Sequence, residues 1–257
     1  MQHITPLQFT QLSQRTQLDS LYAAQQHVVD FDFNSNVVNR FPNMIGRSVP
    51  GYWQLVDWIG IVAQNWINSG SVYDLGTSLG AVAWSIWSKQ RTLLDASQRS
   101  IYAVDSSLPM IERLQANLNE LTHEIRIKPI HCDLRELTLI DPSLVCMNFT
   151  LQFVPRKDRA AVLTHIRQSL APKGALILSE KVHFAAAEEK SIRQWHHQFK
   201  HDQGYSWLEI EQKAEAIQHM MPTDTIEEHR NRLYEVGFSK VTLWSQAFSF
   251  VSFVAEP

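Results

Sequence analysis

Four side chains stand at intervals that suit a nucleotide-like ligand. Asp74 enters a glycine turn, Asp74-Leu75-Gly76-Thr77-Ser78-Leu79-Gly80, with the spacing G-x-S-x-G. Gly76 permits a positive φ or a close backbone approach, and Gly80 lets a following helix pack tightly on the strand. The open N–H groups of that helix's first turn face the ligand. Asp105 comes about 25 residues after the turn, where a carboxylate accepts from both hydroxyls of a ribose. The plainer reading of Asp105 is a helix cap, since Ser106 and Ser107 follow it. Asp133, in His131-Cys132-Asp133-Leu134, ends another apolar run. Its carboxylate suits an adenine amino group, and the Leu134 N–H suits a ring nitrogen. Asn148 closes a run that is otherwise apolar, at a strand end where ligands of open α/β sheets sit. Asp74 orders the turn and faces a ligand amino group, directly or through water.

These residues require strands that end together. Residues 72–75 read as a strand, 79–90 as a helix, 100–105 as a second strand and 107–121 as a helix with Pro109 in its first turn. Residues 125–130, 144–149 and 175–179 read as three more strands, with a helix at 158–170. The fourth is almost wholly apolar, as befits a central strand covered on both faces. Residues 240–244 and 248–254 close the chain as an antiparallel pair, which makes seven strands. The βαβα rhythm predicts an α/β protein with a doubly wound, mostly parallel sheet. Before it, residues 52–68 read as a helix buried on a wide face. Residues 1–30 are polar and Gln-rich, with a helix through Leu18, Leu21, Tyr22 and Val28 as the expectation. A helical insertion at about 183–221 interrupts the rhythm. The turn's spacing is not the G-x-G-x-x-G of dinucleotide folds, which argues against NAD and for S-adenosylmethionine (SAM).

Composition removes several function classes. The 257 residues are 44% hydrophobic, enough for one large core in a single domain over 31–257. A net charge of −3 without blocks of like charge argues against nucleic-acid or membrane-surface partners. No basic-then-apolar leader and no run of about 18 apolar residues is present, so a cytoplasmic protein is expected. Cys132 and Cys146 read as free thiols. His183, His196, His197, His201 and His219 lack ligand spacing; the expectation is a solvated helix face and no metal.

Longer stretches carry a resemblance. Phe41 to Tyr52, Tyr73 to Gly80, Asn148 to Phe153, Leu178 to Lys181, Gly204-Tyr205-Ser206 and Leu208-Glu209-Ile210 are similar to the carboxy-S-adenosyl-L-methionine synthase family. The likeness runs from about residue 30 to 255 and leaves the first 30 residues as an unrelated extension. It implies the class I methyltransferase (Rossmann-like) fold with a helical lid, and a homodimer. It also implies transfer of the carboxyl group of prephenate to the methyl carbon of SAM, giving carboxy-SAM for modification of the tRNA wobble uridine. The departing oxygen of prephenate takes the methyl proton, so no protein base is demanded. The family's ligand contacts fall on Tyr52, Gly76, Thr77, Ser78, Asp105, Ser106, Asp133, Leu134 and Asn148.

Two departures stand out. The family has an arginine after the lid's Gln-Lys pair, binding the added carboxylate; here Gln212-Lys213 is followed by Ala214. Losing a hydrogen bond to a charged group costs roughly 1.5–3 kcal/mol. Lys213 is expected to point elsewhere, leaving Arg47, Arg193 and Lys200 as candidate cations. Thr77 stands where the family has cysteine. Ala214 therefore keeps open an ordinary SAM-dependent methyltransferase or a non-catalytic SAM-binding paralogue.

Overall fold

The computed structural model describes residues 4–21, 35–67, 70–97, 99–122, 124–218 and 220–257. Tyr22 and Val28 of the expected N-terminal helix, and His219, lie outside the described residues. Among the described residues four helices come first: α1 (Pro6–Phe9), α2 (Ser35–Val38), α3 (Phe41–Ser48) and α4 (Tyr52–Val62). Then β1 (Ser71–Leu75), α5 (Ala81–Ser97), β2 (Ile101–Asp105), α6 (Leu108–Asn119), β3 (Ile127–His131) and β4 (Pro142–Asn148) follow. The chain continues through α7 (Arg156–Ser169), β5 (Ala175–Lys181), α8 (Ala186–Asp202), α9 (Trp207–Gln218), α10 (Ile226–Glu235), β6 (Lys240–Ala247) and β7 (Phe250–Glu256).

The seven strands make one sheet in the order β3-β2-β1-β4-β5-β7-β6. The first five are parallel, and β7 runs antiparallel to both β5 and β6. β4 sits centrally and is buried from Pro142 to Met147, which is why its sequence lacks apolar–polar alternation. On one face, Ile59 of α4 and Trp87 and Leu94 of α5 pack with Ile101 and Cys146. On the other, Leu163 and Ile166 of α7 and Leu233 of α10 pack with Val145 and Leu178. The order reverses at β1, between β2 and β4. Such a switch point opens a crevice at the carboxyl ends of the strands.

Two boundaries differ from expectation for visible reasons. α5 runs on to Ser97, but Gln90 leaves helical backbone (φ −114°, ψ 16°) where the expected helix ends. There its Nε2 donates to the Gly60 carbonyl (2.9 Å). Residues 15–20 form no helix, and Leu18 is exposed. Residues 4–21 instead pack onto the domain. Phe9 is fully buried and stacks on Trp84 at 4.5 Å between centroids, while Trp84 Nε1 donates to the Ile4 carbonyl (2.9 Å). Ser13 donates twice to Asn117 Oδ1.

Candidate functional site

The glycine turn is held from beneath by Asp74. This carboxylate is 1% exposed and accepts from Thr77 Oγ1 (2.6 Å) and the Ala83 N–H (3.1 Å). Burial pushes its pKa up to about 6, against the pull of those two donors. A threonine hydroxyl here is a stronger donor than the thiol expected from the family. Gly76 has φ 73°, and a Cβ on it would clash with the Thr150 side chain. Thr150 is fixed in turn by donating to the Leu75 carbonyl (2.9 Å). Ser78 and Phe149 also hold positive φ (51° and 60°), so both the turn and the end of β4 are strained beside the crevice.

The strand ends deliver the acidic residues as expected. Asp105 closes β2 and accepts from the Ser78 N–H (2.7 Å) and the Ser107 N–H (2.8 Å). Burial raises its pKa, and those backbone donors oppose the rise. The turn and the second strand are thus tied together by one carboxylate. Each oxygen keeps a second lone pair for a ligand hydroxyl. The helix-cap reading of Asp105 gives way in part to Ser107, whose side chain caps α6. Asp133 lies past β3, where Arg135 grips it through Nε (3.0 Å) and Nη2 (2.6 Å). That pairing holds its carboxyl below the usual range. Asn148 closes β4, and its Oδ1 is buried with no hydrogen-bond partner, an acceptor that awaits a ligand donor. Tyr52 lies buried beside it in the lining, its pKa raised by burial and by Asp74. Every residue singled out as a contact lines one cavity of about 570 Å³: Tyr52, Asp74, Gly76, Thr77, Ser78, Asp105, Ser106, Asp133, Leu134 and Asn148. That volume suits a bound nucleotide-sized ligand.

The far wall carries three lysines: Lys181 closes β5, Lys200 comes from α8 and Lys213 from α9, and all three line the cavity. Lys200 is one of the expected cations; Lys181 and the inward aim of Lys213 are not anticipated by the sequence reading. Lys213 was expected to point away, but it is 7% exposed and reaches Ser48 Oγ (3.0 Å) and Asp19 Oδ2 (3.4 Å). Ala214, one residue on, is half-buried and outside the lining. The signal was available: Ile210 and Ile217 flank Lys213 at helical spacing and mark the inward face. Of the other expected cations, Arg47 is committed to the Gln203 and Asp19 carbonyls and stacks over Tyr205, and Arg193 does not line the cavity.

The solvated-histidine expectation fails at His196. It is 4% exposed, packs edge-on against Phe250, and its Nε2 lies 2.7 Å from the Ser48 carbonyl. A carbonyl only accepts, so Nε2 carries the hydrogen. Burial, helped by Lys200, lowers its pKa to about 3, so the ring is neutral. Among the described residues no group of three His, Cys, Asp or Glu is placed to hold a metal, and no helix is long and apolar enough to cross a membrane.

Residues 72–174 match a family model described as a methyltransferase domain. Solved structures share the fold. Magnesium protoporphyrin IX methyltransferase from Synechocystis, with bound S-adenosylhomocysteine, superposes with a TM-score of 0.59 at 18% identity, over 87% of this chain and 95% of that one. A putative SAM-dependent methyltransferase from Methanococcus maripaludis gives 0.55 at 19%, over 90% and 97%. Fold and switch-point crevice together define a class I, SAM-dependent methyltransferase fold, with SAM as the cofactor.

The curated relatives narrow this class. A carboxy-S-adenosyl-L-methionine synthase of Actinobacillus pleuropneumoniae is 42% identical over 240 residues, 92% of this chain and 98% of that protein. One from Pseudoalteromonas translucida is 44% identical over the same shares. This chain belongs to the carboxy-S-adenosyl-L-methionine synthase family. The match is too long to leave all of the first 30 residues outside it, in keeping with the packing of residues 4–21.

Proposed function

We infer that this enzyme transfers the carboxyl group of prephenate to the methyl carbon of SAM, yielding carboxy-SAM, phenylpyruvate and water. The observation that carries this reading is identity of 42–44% along 92% of the chain to relatives of that name. Bound SAM supplies a methyl group whose protons the adjacent sulfonium acidifies. The chain's own residues bind, orient and exclude water. Asp105 takes the ribose hydroxyls, Asp133 and Leu134 the adenine edge, and Ser106 lies beside them. The turn from Gly76 through Thr77 to Ser78, ordered by Asp74, backs the amino-acid portion. Asn148 Oδ1 and the Tyr52 phenol face the reacting end. No side chain is required as a base, because the hydroxyl leaving prephenate accepts the methyl proton.

The product supplies an enzyme that modifies the tRNA wobble uridine, so this chain itself contacts neither nucleic acid nor membrane and works in the cytoplasm. A net charge of −3 supports that restriction. The active form is a homodimer. Exposed Trp195, Trp207 and Leu208 on the lid helices support an association of that kind. Native mass spectrometry of the purified protein tests both points. A dimer carrying carboxy-SAM is expected. A monomer counts against the assembly, and SAM or S-adenosylhomocysteine alone counts against the reaction.

A further inference from the structure

The cavity reverses its charge along the strand edge. In spatial order, the carboxyl ends of β3, β2, β1, β4 and β5 present Asp133, Asp105, the Asp74 turn, Asn148 and Lys181. Strands lie about 4.8 Å apart, so Lys181 stands three strands and about 14 Å from Asp105. Lys200 and Lys213 join it from the lid. The acidic half fits the nucleoside.

The three lysines are not equivalent. Lys213 shares its charge with Asp19, which also accepts from the Tyr205 hydroxyl. Lys181 has Glu189 in its field. Lys200 is 5% exposed and has no carboxylate or hydroxyl partner among the described residues. A buried ammonium without a partner is costly, and its like-charged neighbours make it more so. Burial, Lys181 and Lys213 together bring Lys200 down to about 7; burial brings Lys213 to about 8 despite Asp19. Neutral His196 and the rings of Phe149 and Phe250 complete this end of the lining. An apolar wall beside three cations suits an anionic ligand with a carbon ring.

We propose that Lys181, Lys200 and Lys213 form the receptor for a small dicarboxylate, with Lys200 as the cation that only the ligand neutralises. This rests on the reading above, in which the carboxyl donor is prephenate, itself a dicarboxylate. The lysine cluster stands in for the guanidinium that Ala214 does not provide.

Calorimetry with prephenate on protein saturated with S-adenosylhomocysteine, a non-reacting occupant, tests the receptor. Lys200→Met weakens prephenate binding roughly tenfold to a hundredfold, the range for losing a bond to a charged group. Lys200→Arg retains it within about threefold, and both variants keep S-adenosylhomocysteine affinity within about twofold. On the wild type, titrations in buffers of different ionisation enthalpy read proton uptake, which needs no variant to fold. The groups facing Lys200 are Lys181 on β5, Lys213 on α9 and the neutral His196. Near neutral pH binding takes up protons, because burial and the two neighbouring lysines hold the free ammonium's pKa down and the ligand's carboxylates raise it. Unchanged prephenate affinity in Lys200→Met, no wild-type binding, or no proton uptake overturns the proposal. Carboxy-SAM formation, assayed in parallel, separates the two ideas. Turnover with Lys200-independent binding sinks the receptor alone. Lys200-dependent binding without carboxy-SAM sinks the reaction alone.

Discussion

Replacing Asp105 by asparagine separates its two roles. The carboxylate now accepts one backbone N–H on each oxygen, Ser78 at 2.7 Å and Ser107 at 2.8 Å. An asparagine presents one acceptor oxygen and one amide nitrogen that only donates. One N–H is left facing a donor, at a cost of about 1–3 kcal/mol to the free protein. In a chain of this size that lowers Tm by roughly 2–4 °C per kcal/mol. Ligand binding loses more. One charge-assisted bond to a ribose hydroxyl disappears, about 1.5–3 kcal/mol, and the other becomes a neutral bond, about 1 kcal/mol weaker. The total is about 2.5–4 kcal/mol, or roughly 10²- to 10³-fold in Kd. Calorimetry with S-adenosylhomocysteine reads the affinity, and differential scanning fluorimetry reads Tm. A lower Tm with affinity within about threefold of wild type refutes the ribose role and leaves Asp105 as a structural tie.

Other substitutions probe the frame around the site. Gly76→Ala forces a Cβ against Thr150 at a φ of 73°, so SAM binding and Tm both fall in calorimetry and fluorimetry, and Thr150→Ser does not rescue the backbone strain. Phe9→Ala removes a fully buried ring stacked on Trp84 and costs about 3–5 kcal/mol in denaturant unfolding, which shows residues 4–21 to be integral. Arg159→Met strips Asp224 of one of its guanidinium partners and should destabilise by about 3–5 kcal/mol in the same assay. Glu180 is fully buried with a pKa raised to about 8, chiefly by burial. Its folded pKa exceeds the unfolded value of about 4.3, so the stability it contributes is complete below about 4.3 and is lost as pH rises towards 8. Glu180→Gln therefore gains stability relative to wild type across that window, by up to about 1.4 kcal/mol per pH unit; a pH-independent difference in urea unfolding contradicts the assignment.

The acidic half of the site was legible because parallel strands end on one edge. Asp74, Asp105, Asp133 and Asn148 each close a recognisable apolar run, so spacing alone brings them together. The same rule applied to Lys181, at the end of β5, would have found the first cation. The lid was harder. Its helices carry mixed polar faces, and which face turns inward depends on packing against Ser48 and Phe250, contacts made far along the chain. His196 looks like one of several surface histidines until Ser48 and Phe250 cover it. Lys213 turns inward with Ile210 and Ile217, which share its helix face, while Ala214 one residue on does not reach the lining. The packing of the first residues is invisible in the sequence because Phe9 and Ser13 find their partners at Trp84 and Asn117, too distant for periodicity to reveal.

The central claim is that the prephenate carboxyl group ends on the methyl carbon of SAM. Prephenate labelled with ¹³C in its ring carboxyl group, incubated with unlabelled SAM and the protein, tests this by mass and fragmentation of the nucleoside product. The account predicts carboxy-SAM with the label on the carboxymethyl group attached to sulfur. S-adenosylhomocysteine as the product, or SAM recovered unchanged, contradicts it.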